Sequence, residues 1–155
     1  MRITIGADIG VRHFALCATT TSDTGESTVV HWQLADLGGG GKNQEALVRE
    51  LREAMDTFCA SLPEPPAKLN VERQPHFVKA AGHMIQGALA MYAEASGTHF
   101  AFVTARQRGG TYAERKKRSV ELARGLVAKD NQWGPWFEKQ VKKDDLADAL
   151  HLSLA

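Results

Sequence analysis

Four acidic residues lie far apart in the chain but at positions where structural elements should start or stop. Asp8 closes an N-terminal strand, Glu72 closes a central one, and Asp145 and Asp148 stand three apart in the last helix. Scattered carboxylates on converging elements are the pattern of a divalent-metal site. Held within ~5 Å, each pair would repel by roughly 3 kcal/mol at an effective dielectric near 20, a cost that a hard cation such as magnesium or manganese removes. The chemistry this points to is metal-assisted phosphoryl transfer.

The elements that must carry these groups are legible from periodicity. Ile3, Ile5 and Ala7 alternate with Thr4, Gly6 and Asp8, so the first strand turns an apolar face one way and Asp8 the other. Runs at His13 to Thr20 and Thr28 to Leu34, separated by the turn residues Ser22 to Gly25, complete an antiparallel meander. Asn43 is placed to cap a helix running to about Ala60, and the prolines at 63, 65 and 66 break the chain before a short strand, Lys68 to Glu72. A helix over about Phe77 to Ala95 carries two adjoining apolar stripes, one through Ala81, Ile85, Leu89 and Tyr92, the other through Met84, Ala88, Met91 and Ala95. Such a helix is buried on two sides, one against its own sheet and the other against a partner subunit. After a strand at Thr98 to Thr104, Thr111 and Glu114 form a capping box for a helix to about Ala128. A tryptophan-bearing loop, Asn131 to Phe137, leads to a final helix from about Lys143, where Leu146, Ala149, Leu150, Ser153 and Leu154 share one side and Asp145, Asp148 and His151 the other. The fold class is α/β, a mixed five-stranded sheet of meander plus parallel strands flanked by helices.

A chain of 155 residues, 43% hydrophobic and 24% charged, fits one domain spanning residues 1–155. Cys17 and Cys59 are too few for a zinc site and fall in apolar patterns, which reads as reduced core thiols of a soluble, intracellular protein. No run approaches the roughly 20 apolar residues needed to cross a bilayer, so no membrane partner is expected. Net charge is only +1, yet Arg106, Arg108, Arg115, Lys116, Lys117, Arg118, Arg124 and Lys129 crowd one segment. That basic field is the footprint of a phosphate-binding surface.

The segments GADIGVRHFALC around Asp8, VERQPH around Glu72 and KKDDLADAL around Asp145 and Asp148 resemble the acidic motifs of RuvC-like Holliday junction resolvases, in particular the poxvirus and fungal mitochondrial branches. TARQRGGTYAERKKRSV resembles the strand-to-helix segment that carries their catalytic lysine. The resemblance runs in order along nearly the whole chain. It implies an RNase H-like fold, a homodimer, dependence on Mg2+ with Mn2+ able to substitute, and paired symmetric nicks across a four-way DNA junction. Carried over by position, Asp8, Glu72, Asp145 and Asp148 would hold two ions about 3.5 to 4 Å apart. Lys117 would neutralise charge on the phosphate, with Lys116 its rival because the double lysine leaves the register open by one residue. Asp144 is likewise the rival of Asp145. Arg106, Arg108, Arg115, Lys116, Lys117 and Arg118 would contact DNA, and Phe77 could wedge between bases.

Other readings are weaker. The Gly38 to Lys42 run lacks the residues of a phosphate loop, and no histidine spacing fits zinc. Trp133 and Trp136 serve better as plugs seating the last helix than as base-stacking platforms. An actin-like or sugar-kinase fold needs two lobes where this chain supplies one, and an inactive binding module would have no need of the acidic set. The remaining alternative is an RNase H-like nuclease of other specificity, for flaps, bulges or RNA-DNA hybrids.

Overall fold

The computed structural model describes residues 2–38, 43–76, 79–104 and 109–155. Its strands are β1 (Arg2–Asp8), β2 (Phe14–Thr21), β3 (Ser27–Ala35), β4 (Lys68–Glu72) and β5 (His99–Val103), and its helices α1 (Gln44–Ala60), α2 (Ala80–Ser96), α3 (Tyr112–Val127), α4 (Trp133–Glu138) and α5 (Lys143–Ser153). They form one five-stranded sheet in the order β3-β2-β1-β4-β5. The meander pairs are antiparallel, whereas β1 with β4 and β4 with β5 are parallel.

Alternation along the strands sends two sets of side chains to two faces. Ile3, Ile5, Ala7, Leu69 and Val71 pack with Leu47, Leu51, Met55 and Phe58 of α1 and Ile85, Leu89 and Ala93 of α2. The opposite face, through Ala15, Cys17 and Trp32, packs with Ala123 and Val127 of α3, Trp133 and Phe137 of α4, and Leu146, Ala149 and Leu150 of α5. Asn43 caps α1 by accepting from the Ala46 amide, and Gly97 ends α2 in a left-handed conformation that a side chain would resist. The capping box of Thr111 and Glu114 is formed in full. Both cysteines are free, and Cys17 is buried with its thiol pushed up by desolvation. Among the described residues no helix is long and apolar enough to cross a membrane.

One sequence expectation needs correction. The tryptophan-bearing segment is not a loop: Trp133–Glu138 closes a short helix, α4, because its aromatic residues pack inward together. Phe137 stacks on Trp32 at 4.9 Å, and Trp136 lies 5.5 Å from the same ring. In α2 the stripe through Ala81, Ile85, Leu89 and Tyr92 does pack against this core, with Ile85, Leu89 and Ala93 fully buried and Tyr92 half-buried at its edge, its hydroxyl donating to Asp56 of α1 at 2.7 Å.

Candidate active site

Parallel pairing brings the first two acids together. Ala7 is registered with Val71, so the next residues along, Asp8 and Glu72, end neighbouring strands on the same edge, at the ~4.8 Å spacing of adjacent strands. Both lie on the α5 face, opposite the side buried by Ala7 and Val71. Two residues earlier on that face, Gly6 sits beside Asn70, and there α5 crosses β1 so closely that a Cβ on Gly6 would stand 2.1 Å from the Ala149 carbonyl oxygen. Asn70 Nδ2 donates to the Leu152 carbonyl at 2.9 Å, Thr19 Oγ1 to the Ser153 carbonyl at 3.2 Å, and Trp32 Nε1 to the Leu146 carbonyl at 3.0 Å. Side chains from β2, β3 and β4 thus fix the position of α5 by its own backbone. Its first turn, with Asp144 and Asp145, then falls at the edge where Asp8 and Glu72 end, and its partly positive N-terminus tempers the accumulated negative charge.

The expectation that the acidic side of α5 points simply away from the core is incomplete. Leu146, Ala147, Ala149, Leu150, Leu152 and Ser153 are all buried, while Asp145, Asp148 and His151 are half-buried against α3. From α3, Ser119 Oγ donates to Asp148 Oδ1 at 2.6 Å and Lys116 Nζ to Asp148 Oδ2 at 2.8 Å. The same ammonium lies 3.7 Å from Asp144 Oδ2 and 4.0 Å from Asp145 Oδ1. His151 Nε2 lies 3.0 Å from the Ser119 carbonyl oxygen, an acceptor that requires the Nε2–H tautomer, and so links α3 to α5.

Electrostatics record the crowding. Burial pushes the Asp8 carboxyl well above the usual carboxylate range, the charges of Asp148, Asp145 and Glu72 push it further, and Lys116 pulls it back. Burial likewise raises Glu72, with Asp148 adding to the effect, and raises Asp145, with Asp144 adding to it. Burial works against the charge on Lys116, but its hydrogen bond to Asp148 and the fields of Asp148 and Asp8 outweigh that, holding the ammonium above its ordinary value. The donor set consists of carboxylate oxygens with more negative charge than one lysine balances, which suits a hard divalent cation. Among the described residues no three His, Cys, Asp or Glu side chains are drawn tightly enough together to hold an ion.

Of the double lysine it is Lys116 that reaches the acids, and Lys117 is exposed. The reason is helical phase: Ser119, Ala123 and Val127 form the buried stripe of α3, which Lys116 extends by one turn while Lys117 sits about 100° round. That stripe, with a serine where an apolar residue would be expected, was a readable signal that the capping box alone did not supply. Arg115 and Arg118 flank the site and donate to the Gly110 and Gly109 carbonyls at 2.9 and 3.0 Å. Arg106, Arg108 and Phe77 lie outside the described residues.

The sequence matches the poxvirus A22 protein family over residues 2–155. The chain belongs to that family. No curated protein matches it in sequence. Among solved structures it is similar to the fowlpox virus resolvase in complex with substrate Holliday junction DNA, at 19% identity and a TM-score of 0.76, covering 98% of this chain and 94% of that one. RuvC of Thermus thermophilus matches at 16% identity and a TM-score of 0.70, over 98% of this chain and 91% of that one. The yeast mitochondrial Holliday junction resolvase matches at 14% identity and a TM-score of 0.65, over 97% and 77% of the two chains. The fold is therefore the RNase H-like fold of RuvC-type resolvases, with a mixed sheet and flanking helices as the sequence implied.

Proposed function

We propose that the protein is a structure-selective DNA endonuclease that resolves four-way junctions by paired, symmetric nicks, acting as one nuclease domain over residues 1–155. The observation that carries this reading is the convergence of Asp8, Glu72, Asp145 and Asp148 with Lys116 on one sheet edge. Membership of the poxvirus A22 family and likeness in fold to resolvases, one of them seated on Holliday junction DNA, support the choice of substrate. The four carboxylates are assigned to two Mg2+ ions, with Mn2+ able to substitute, which when bound supply an activated water and charge to stabilise the leaving oxygen.

The chain's own residues do the rest. Lys116 replaces Lys117 as the cation that meets negative charge growing on the scissile phosphate, because it alone of the pair reaches the acids. Arg115, Lys117 and Arg118, on the first turns of α3, hold the DNA backbone beside the site. The assignment of Arg106, Arg108 and Phe77 to DNA rests on sequence alone. A homodimer supplies two active sites for two nicks. Its support is the outer face of α2, where Gly87 and Ala95 are exposed and Met91 is 70% exposed, and where Met84 lines a surface hollow together with Val48 of α1. An apolar face repeated on an identical subunit is self-complementary across a two-fold axis.

The test is a product map on a synthetic four-way junction beside duplex, flap and RNA-DNA hybrid controls. Expected are two symmetry-related nicks whose products a ligase seals, lost in Asp8→Asn, Glu72→Gln, Asp145→Asn and Asp148→Asn while junction binding persists. Preferential cleavage of a control substrate, or a single nick per junction, would overturn the resolvase assignment in favour of a nuclease of other specificity.

A further inference from the structure

Both oxygens of Asp148 are engaged, and by groups of different mobility. Oδ1 accepts from Ser119, a short side chain fixed in the buried stripe of α3, whereas Oδ2 accepts from the long, flexible Lys116. That same ammonium stands within 4.0 Å of Asp144 and Asp145 and lowers the pull of neighbouring charge on Asp8 and Glu72. It therefore supplies these acids with positive charge that a divalent cation would otherwise bring. A divalent cation arriving at that oxygen would stand within a few ångströms of the ammonium, and the repulsion between the two favours departure of the lysine.

We propose that Lys116 is an exchangeable counter-ion, which holds the acids of the metal-free protein together and must leave Asp148 Oδ2 before that oxygen can ligate a divalent cation. This rests on the nuclease reading and adds to it a role for the lysine before substrate arrives. A second partner is already in reach one turn back: the Tyr112 ring, 68% exposed at the start of α3, has its centroid 5.6 Å from the ammonium while that ammonium bonds Asp148, so a lysine that lets go of the acid keeps a contact there. Side chains on a helix lean toward its N-terminus, so the swing from the acids to the Tyr112 side needs rotamer changes only. The released ammonium then lies beside Arg115, at the mouth of the site, where a DNA phosphate would meet it. Lysine suits this exchange better than arginine, being a compact charge on a flexible stem that makes no bidentate clamp.

Metal binding without DNA tests the exchange. Mn2+ affinity is measured calorimetrically for the parent, for Lys116→Met, and for Lys129→Met, which removes the same charge from the exposed segment just after α3. Lys116→Met should bind Mn2+ roughly ten- to a hundredfold more tightly, the factor for one charge-assisted hydrogen bond that no longer has to break, and Lys129→Met should match the parent. On the parent protein, acetylation of Lys116 by an amine-reactive reagent, followed by mass spectrometry, should speed up when Mn2+ saturates the site. Unchanged or weaker binding by Lys116→Met, or acetylation that slows with Mn2+, would overturn the exchange while leaving the nuclease reading intact. A parent protein that binds no Mn2+ would overturn both.

Discussion

Replacing Gly6 by alanine puts one methyl group into the contact that sets the whole site. An ideal Cβ there stands 2.1 Å from the Ala149 oxygen, 2.3 Å from the Ser153 nitrogen and 2.9 Å from the Leu152 carbonyl carbon. All three are backbone atoms of α5, so no side-chain rotation relieves the clash, and the helix must lift from β1 by roughly 1 Å to restore van der Waals separation. Overpacking of this kind costs about 1–3 kcal/mol. For a chain of this size that lowers Tm by about 3–10 °C. Because β1 carries Asp8 and α5 carries Asp145 and Asp148, the same displacement separates the two halves of the acidic set, and a 1 Å misplacement costs on the order of a hundredfold in rate. Gly125→Ala is the control: it lies exposed in α3 with nothing within 4 Å of its Cβ, and should gain about 0.5–1 kcal/mol from helix propensity. Calorimetric Tm in metal-free buffer and single-turnover cleavage of a four-way junction at saturating protein read the two effects. A Gly6→Ala protein with parental Tm and rate would mean that α5 does not cross β1 at this point.

Lys116→Ala should lower single-turnover cleavage by on the order of a hundredfold, while Lys117→Ala should mainly weaken junction binding and flatten its salt dependence; the reverse pattern would return the catalytic role to Lys117. In metal-free buffer, stability should fall as pH rises from about 4, the ordinary carboxyl value of the unfolded chain, through the raised folded values of Asp8, Glu72 and Asp145. The folded state holds the extra protons in that window, so the slope of unfolding free energy with pH is negative. A Tm that climbs from pH 5 to pH 7 without metal would contradict this. Trp32→Phe keeps a ring against Phe137 but removes the indole donor to Leu146, and should cost about 1–3 kcal/mol in denaturant unfolding. An unchanged midpoint would remove that bond from the account of how α5 is held.

Much of the fold was legible because its signals are local. Alternation in Ile3 to Asp8 gave β1 and the face of Asp8, the prolines before Lys68 isolated β4, and Thr111 with Glu114 marked the start of α3. The short helix α4 was not legible, since six residues are too few to show a period and its helicity comes from aromatic packing on Trp32.

The same division holds at the site. Which acids were available for metal chemistry, Asp8, Glu72, Asp145 and Asp148, and that the first two end strands, could be read along the chain. Each of those statements needs only spacing and alternation. Tertiary structure decided which lysine joins them, because Lys116 and Lys117 differ only in phase, and phase acquires meaning when α3 packs its Ser119–Ala123–Val127 stripe against α5. It also decided that Ser119, Asn70, Thr19, Trp32 and Gly6 position the acids. Those roles consist of contacts between residues far apart in the chain, from Ser119 with Asp148 to Thr19 with Ser153, and no local pattern encodes a partner outside its own element.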